Sequence, residues 1–313
     1  MPLRMRNEVR MKKTAGQAIF EQLAQERRGA LSDWRALVLL RRATLTTPPH
    51  LRRWTTLPTS PEEMHPLLSQ MAQRSELAPL RTLHHVYRVT VPYAQHGLLG
   101  EDEVLMEAHP YATLSHHSAL VYHNLTDDLP HEMIVIVPAA RAGDLLPLGT
   151  TPDDWESVRL PPGQTPSRIL DVRMHWVRVT PKRLFGFQEY RRQGYPVRVT
   201  TPERTLADAL LDPELCGGWE TVLRAWARAR DTLNLNSLVH VVEQFDIAVL
   251  RQRVGFLLDE LGIPSPIVEG WRAGARRGGS SRLLGSAPYA PTYSERWNLS
   301  LNASLAALTE SMT

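Results

Sequence analysis

The sequence predicts an α+β protein: three amphipathic helices and a β-hairpin come first, and a mixed α/β domain with a small sheet and a helical C-terminal portion follows. Its 313 residues fit two domains at about 100–200 residues per domain. Fifteen Lys and Arg face seven Asp and Glu in the first hundred residues, whereas the remainder has twenty-one against twenty-six. We therefore expect a basic tail (residues 1–13), a first domain (14–95) and a second domain (98–313).

The first two helices are predicted from apolar residues that recur every three or four positions. One such stripe begins after Gly16 and ends near Gly29. Ser32 or Asp33 has the side chain of an N-cap for the next helix, which ends at the Thr- and Pro-rich segment 44–49. Both segments are long enough to be helices of a small domain.

A third helix and a hairpin complete the first domain. Ser60 and Glu63 have the spacing of a capping box, and the apolar stripe behind them runs to about Ser75, with Pro66 close to the first turn. Residues 84–91 then alternate between apolar and polar side chains, as a half-buried strand does. Three helices followed by a hairpin predict a winged helix-turn-helix.

In a winged helix-turn-helix, the helix before the wing is the one offered to the major groove of DNA. The side chains that we expect to read base edges are Ser69, Gln70, Gln73 and Arg74. The candidates for phosphate contacts are Arg52, Arg53, Arg81, His84 and Arg88. The alternative is a solvated helical face whose arginines only keep the protein soluble.

The second domain begins with a helix and two strands. A helix is predicted to start at Ser115, and segments 133–137 and 173–180 are predicted to be partner strands. Segment 150–166, which is rich in Pro, Gly and Asp, is predicted to be a surface loop.

The C-terminal part of this domain is predicted to be mainly helical. A strand at 195–200 leads into Thr201, Pro202 and Glu203, which are typical of a helix start. Further amphipathic segments cover residues 238–245 and 249–261.

Two clusters in this half suggest other sites. A second basic patch is expected from Lys182, Arg183, Arg191, Arg192, Arg198 and Arg204, with ordinary solvated strand edges as the alternative. Five histidines lie at positions 109, 116, 117, 123 and 131, but their spacing lacks the HxxxH pair and nearby carboxylate of a metal site. The single cysteine, Cys216, excludes an internal disulfide and a thiolate metal cage.

Several blocks of this half resemble the AbiEi family of antitoxins and transcriptional regulators from abortive-infection toxin-antitoxin systems. The blocks are residues 111–115 (YATLS) with 118–120 (SAL) and His123, residues 197–208 (VRVTTPERTLAD) with Pro213, Glu214, Gly217 and Gly218, and residues 253–258 (RVGFLL). The ending 297–302 (WNLSLN) is similar as well. Together the three main blocks span about half of the chain.

The resemblance implies an N-terminal winged helix that binds the operon's own promoter and a C-terminal domain that opposes a nucleotidyltransferase-like toxin, directly or indirectly. We expect double-stranded DNA and a cognate toxin as partners, and neither a cofactor nor an enzymatic activity. The longest apolar run, residues 133–140, is far shorter than the about 20 residues that cross a bilayer, so we expect a cytoplasmic protein without a membrane partner. The alternatives are a nucleic-acid-acting metal enzyme with a His-rich site and a scaffold that recruits another protein.

Overall fold

The computed structural model describes residues 12–91, 99–140, 143–192, 194–275 and 281–311. Most of the predicted basic tail and residues 92–95 lie outside this part. The chain divides into two compact units. The first unit comprises residues 1–112, 142–171 and 190–197, and the second comprises residues 113–141, 172–189 and 198–313. The first unit therefore takes two segments from the middle of the chain.

The first unit starts with α-helices and short strands. In chain order these are α1 (Ala15–Gln25), β1 (Ala30–Ser32), α2 (Asp33–Thr46), α3 (His65–Gln73), β2 (Leu77–Pro79), β3 (Val86–Val89) and α4 (Glu101–Ala108). The three strands form an antiparallel sheet in the order β1-β3-β2, with Leu31 opposite Tyr87 and Ala78 opposite Arg88. The hairpin predicted after the third helix is therefore present, and β1 is an additional edge strand that sequence reasoning missed.

The helix starts in this unit follow local hydrogen-bond chemistry. Of the two predicted N-caps of α2, Ser32 and Asp33, the cap is Ser32, because its hydroxyl accepts from the Arg35 N–H at 3.2 Å. The predicted capping box at Ser60 is wrong: the Ser60 side chain makes no capping bond. Residues 61–64 form a 3₁₀ turn instead, since Pro66 has no N–H for the Glu62 carbonyl, which accepts from the His65 N–H. As a result α3 begins at His65 and ends at Gln73.

The core of the first unit includes a segment that is distant in the sequence. Leu37 and Leu68 are fully buried between the helices. Trp155, from the short 3₁₀ turn Pro152–Trp155, packs into the same cluster, with its ring centroid 6.3 Å from that of Trp34. The prediction of a surface loop at 150–166 is therefore wrong at Asp154, Trp155 and Pro161, because all three are buried.

The remaining elements follow in chain order. They are β4 (Thr113–Leu114), α5 (His116–Tyr122), β5 (Met133–Pro138), β6 (Arg168–Ile169), β7 (Val172–Val179), β8 (Phe187–Arg192), β9 (Tyr195–Thr200), α6 (Pro202–Leu211), α7 (Trp219–Ala229), α8 (Leu235–Phe245), α9 (Ala248–Glu260), α10 (Pro266–Ala275), β10 (Ser281–Arg282), β11 (Tyr293–Ser294), β12 (Leu299–Ser300) and α11 (Ala306–Glu310). The predicted strands at 133–137 and 195–200 and the predicted helix starts at Ser115 and Thr201 are confirmed.

The second unit combines a sheet with a helical core. Within it β7, β5, β4 and the end of β9 lie side by side in this order, and β5 pairs in parallel with β7 from Met133 opposite Met174. Helices α6 to α9 bury Trp226 completely. Gly255 on α9 faces the indole of Trp297 so closely that a Cβ there would lie 2.2 Å from its Cη2 atom. Close packing therefore requires glycine at this position.

None of the described helices combines the length and the apolar character that a membrane span requires.

Candidate nucleic-acid interface

Helix α3 presents one polar face to solvent. Ser69, Gln70, Gln73 and Arg74 are all exposed, whereas Leu68 is fully buried on the opposite side. Spacings of three and four residues place side chains on the same face of a helix. The four predicted base-reading residues therefore share a single accessible surface, and their hydroxyl, amide and guanidinium groups supply both donors and acceptors.

The connection between β2 and β3 is a short loop, residues 80–85, which we call the wing. Its tip carries Arg81 and His84 in exposed positions, and Arg88 is exposed on β3 behind it. The Leu83 side chain is buried and anchors the loop to the unit. The Leu80 N–H donates to the Val86 carbonyl at 3.0 Å, which closes the loop. Three of the five predicted phosphate-contact residues therefore lie on the wing or on its strand.

A polar junction that sequence reasoning missed joins the start of α3 to the wing. The His65 Nε2 atom lies 3.1 Å from the Asp33 carboxylate, and the His65 ring stacks on the His85 ring with centroids 3.6 Å apart. The Asp33 N–H donates to the His85 carbonyl at 3.1 Å. Asp33 is the first residue of α2, so its carboxylate and N–H fix two neighbouring elements at once. The adjacent histidines at 84–85 were the signal of this junction in the sequence, but His65, which stacks on His85, lies twenty residues earlier.

The other two predicted phosphate-contact residues lie in the connection between α2 and α3. Arg53 is exposed, and Arg52 is half-buried with its guanidinium 5.8 Å from the Trp54 ring centroid. Two buried nitrogens of Arg52, Nε and Nη1, have no hydrogen-bond partner within the described residues. The backbone here pairs with Lys13, whose N–H donates to the Leu51 carbonyl at 2.9 Å. Arg53 is therefore better exposed for a phosphate than Arg52 is.

The excess of arginine in the first hundred residues is partly internal. Arg35 is fully buried: its Nε donates to Glu107 at 3.0 Å and its Nη2 donates to the Leu148 carbonyl at 2.7 Å. Arg28 also donates to Glu107, and the Arg41 guanidinium donates to two backbone carbonyls. Burial lowers the pKa of Arg35 to about 10, so it stays charged at neutral pH. The formal charge of the first hundred residues therefore overstates the positive charge that they expose.

Helix α4 covers the edge strand β1 with two carboxylates. Glu103 Oε1 accepts from the Gly29 and Ala30 N–H groups at 2.6 and 3.1 Å. Glu107 Oε2 accepts from both the N–H and the hydroxyl of Ser32. Burial raises the pKa of Glu103 to about 7, and the nearby Glu107 charge adds to this effect. The contacts to Ala30 and Ser32 satisfy β1 amides that face away from β3 and would otherwise be unpaired at the sheet edge.

The predicted second basic patch is wrong for Arg198 and Arg204, because both are only 2% exposed. Arg204 Nε bonds the Asp208 carboxylate at 2.9 and 3.0 Å, and its guanidinium lies over the rings of Phe185 and Phe245. An arginine with an aspartate four residues later on one helix face is also the pattern of an internal ion pair. Of the other members, Lys182 and Arg191 are exposed, Arg192 pairs with Asp102, and Arg183 is half-buried.

The histidine-rich segment has the features of packed structure. His116 and His117 are buried, and the His123 Nε2 atom lies 2.7 Å from the Thr200 carbonyl. Burial lowers the pKa of all three rings and favours their neutral forms. His131 is exposed, whereas His109 is buried. In the part of the chain that the structure describes, no three His, Cys, Asp or Glu side chains are grouped as a metal site requires. Burial also raises the pKa of the Cys216 thiol, which makes it a poor nucleophile.

Comparison with known proteins gives a likeness of fold. No family model and no curated protein matches the chain. The crystal structure of the RV2827C protein from Mycobacterium tuberculosis superimposes with a TM-score of 0.51 at 12% sequence identity, and the match covers 96% of each chain. This similarity extends over nearly the whole length of both proteins. At that identity it indicates a shared α+β arrangement and carries no activity with it.

Proposed function

We propose that this protein is a DNA-binding transcriptional repressor without enzymatic activity, which acts at its own promoter through a winged helix-turn-helix formed by residues 14–91. The observation that carries the proposal is the element order α1-β1-α2-α3-β2-β3 combined with the exposed polar face of α3. A helix of this kind, set beside a hairpin whose loop is exposed, suits insertion into the major groove. The connection from α2 to α3 is longer than a simple helix turn and adds Arg53 to the basic surface.

The roles of individual side chains follow from their chemistry. Gln70 and Gln73 have the paired donor and acceptor that match an adenine edge, and Arg74 has the fork that matches a guanine edge. Arg81 and Arg88 are exposed and have no acidic partner in the described residues, so their guanidinium groups are accessible to phosphates. Phosphate contacts supply most of the affinity, whereas the α3 side chains supply the choice of sequence.

The first test is a gel-shift titration with the DNA upstream of the gene at several salt concentrations. With roughly four to six phosphates neutralised, affinity should fall steeply between low and moderate salt. Absence of a salt-sensitive complex would contradict the proposal.

The second test uses Arg74→Ala on sites in which each base is changed in turn. Affinity should fall by about 1–3 kcal/mol, and selectivity should be lost at one base position. Arg224→Ala, at an exposed arginine in the second unit, is the matched control and should bind as the wild type does. An equal loss for Arg74→Ala on every site would make Arg74 a phosphate contact instead.

The proposal extends to an antitoxin role, which the resemblance of residues 111–258 to the AbiEi blocks supports. In that case the product of a neighbouring gene should arrest growth when expressed alone, and co-expression of this protein should restore growth. A pull-down between the two products then separates direct from indirect neutralisation. Failure to restore growth would leave the repressor proposal standing and remove the antitoxin part.

A further inference from the structure

The wing is contacted by a segment that lies far from it in the sequence. Residues 143–166, which we call the strap, belong to the first unit and run along α2 before they reach the wing. Arg42 donates to the Asp154 carboxylate at 2.7 and 2.8 Å, and Arg41 Nη2 donates to the Glu156 carbonyl at 2.9 Å. The strap is therefore fixed to α2 by two neighbouring arginines.

The strap is also fixed next to the end of α4. The Gln164 N–H donates to the Ala108 carbonyl at 2.9 Å. Three residues earlier, the Pro161 carbonyl accepts from the Tyr111 hydroxyl at 3.0 Å. The backbone that leads into the Gln164 side chain is therefore fixed at two points, Pro161 and Gln164 itself.

The Gln164 amide pairs with the backbone at the wing tip. Its Nε2 donates to the His84 carbonyl at 2.7 Å, and its Oε1 accepts from the His84 N–H at 2.8 Å. A primary amide offers a donor and an acceptor at one end, as a neighbouring strand would. The regular pairing of β2 with β3 reaches only Pro79 and Tyr87, so His84 lies beyond the ladder. His85 has a φ of +52°, which marks a tight bend at this place.

We infer that Gln164 is a positioning residue for DNA binding: by pairing with His84 it holds the wing in the shape that presents Arg81 and His84 to the phosphates. This inference rests on the proposed function. A loop whose backbone is already ordered loses less entropy when it binds, so the pairing of Gln164 with His84 raises the affinity for DNA although Gln164 itself does not contact DNA. The strap also makes the wing part of a larger folded body, since one continuous segment contacts α2, the end of α4 and the wing tip.

The inference is tested with Gln164→Ala and Gln164→Glu in the full chain. Both should lower affinity for the upstream DNA about three- to tenfold, the usual effect of losing one or two hydrogen bonds of this kind. Gln164→Glu keeps an acceptor for the His84 N–H but places an oxygen against the His84 carbonyl, so it should not rescue binding. In Gln164→Ala, which removes the acceptor of the His84 N–H, hydrogen exchange should show faster exchange of the His84 amide while α1 and α3 stay protected, which separates loosening of the wing from unfolding.

A double-mutant cycle tests whether Gln164 affects DNA affinity through the wing. Combined with Arg81→Ala, the loss caused by Gln164→Ala should shrink, because a wing that lacks its arginine gains little from being held. Combined with Arg74→Ala on α3, the two losses should add. Additive behaviour with Arg81→Ala would refute the inference, as would an Arg81→Ala variant that binds like the wild type. If the wild type itself binds no DNA, the proposed function fails, whereas wild-type binding with unaffected Gln164 variants overturns only the role of Gln164.

Discussion

Replacing Glu103 with glutamine should change how the stability of the protein depends on pH. Glu103 lies on α4 with its Oε1 atom against the N–H groups of Gly29 and Ala30. Burial raises the pKa of its carboxyl to about 7, more than the two N–H bonds and the Arg28 charge lower it. Glutamine has nearly the same shape, keeps an oxygen acceptor for both N–H groups and never ionises.

The size and sign of the effect follow from linkage between protonation and folding. In the unfolded chain the carboxyl has its ordinary pKa of 4.5, whereas the folded protein holds the proton up to about pH 7. Between these values the folded state binds more protons than the unfolded state, so stability is highest below about 4.5 and falls as pH rises through 7. The difference corresponds to at most about 3 kcal/mol, because one pKa unit is about 1.4 kcal/mol.

Urea denaturation at a series of pH values measures this effect. The wild type should lose on the order of 2–3 kcal/mol of unfolding free energy between pH 5 and pH 8 relative to Glu103→Gln. Glu214→Gln, at an exposed position, is the control and should follow the wild type. If the wild type and Glu103→Gln give parallel curves over this range, the carboxyl does not hold a proton in the folded state and the reasoning fails.

Three further substitutions test the packing of the two units. Gly255→Ala should lower the unfolding free energy by about 2 kcal/mol or more, because its Cβ meets the Trp297 indole. In chemical denaturation, this cost should be smaller when Trp297→Leu is present as well. A Gly255→Ala variant as stable as the wild type would contradict the packing. Arg204→Met should lower the unfolding free energy by about 3–5 kcal/mol, because it leaves the Asp208 carboxylate buried without its partner. Its affinity for DNA should be unchanged. A loss of affinity in the folded variant would mean that Arg204 belongs to a binding surface. Trp155→Ala should cost about 3–5 kcal/mol in thermal and urea unfolding, whereas a change below about 1 kcal/mol would mean that the strap adds little to the core.

The elements that sequence patterns predicted are those whose causes are local. The apolar stripe of α2 begins directly after Ser32, whose hydroxyl caps it, and α6 begins after Thr201, whose hydroxyl accepts from the Arg204 N–H. Strand β5 is a continuous apolar run, as a strand covered on both faces must be. In each case the residues that decide the structure lie within a few positions of one another.

The features that sequence patterns missed depend on partners far apart in the chain. Strand β1 has only three residues, and its outer edge is satisfied by Glu103 and Glu107, more than seventy positions later. The sequence predicts a loop for the strap because Pro, Gly and Asp are common in loops, yet Trp155 is buried in the core of the first unit. Arg204 resembled a surface cation because nothing near it in the sequence shows the two phenylalanine rings that cover it.

The contact between Gln164 and His84 has a consequence for how the protein is made. The wing leaves the ribosome early, but the amide that closes onto its tip is synthesised eighty residues later. During translation the N-terminal helices fold first, whereas the hydrogen bonds that fix the wing tip form only after the strap has been synthesised. A nascent chain shorter than about half of the protein therefore lacks the contact that completes the wing. On the proposed function, premature termination in this range should yield polypeptides that bind the upstream DNA poorly.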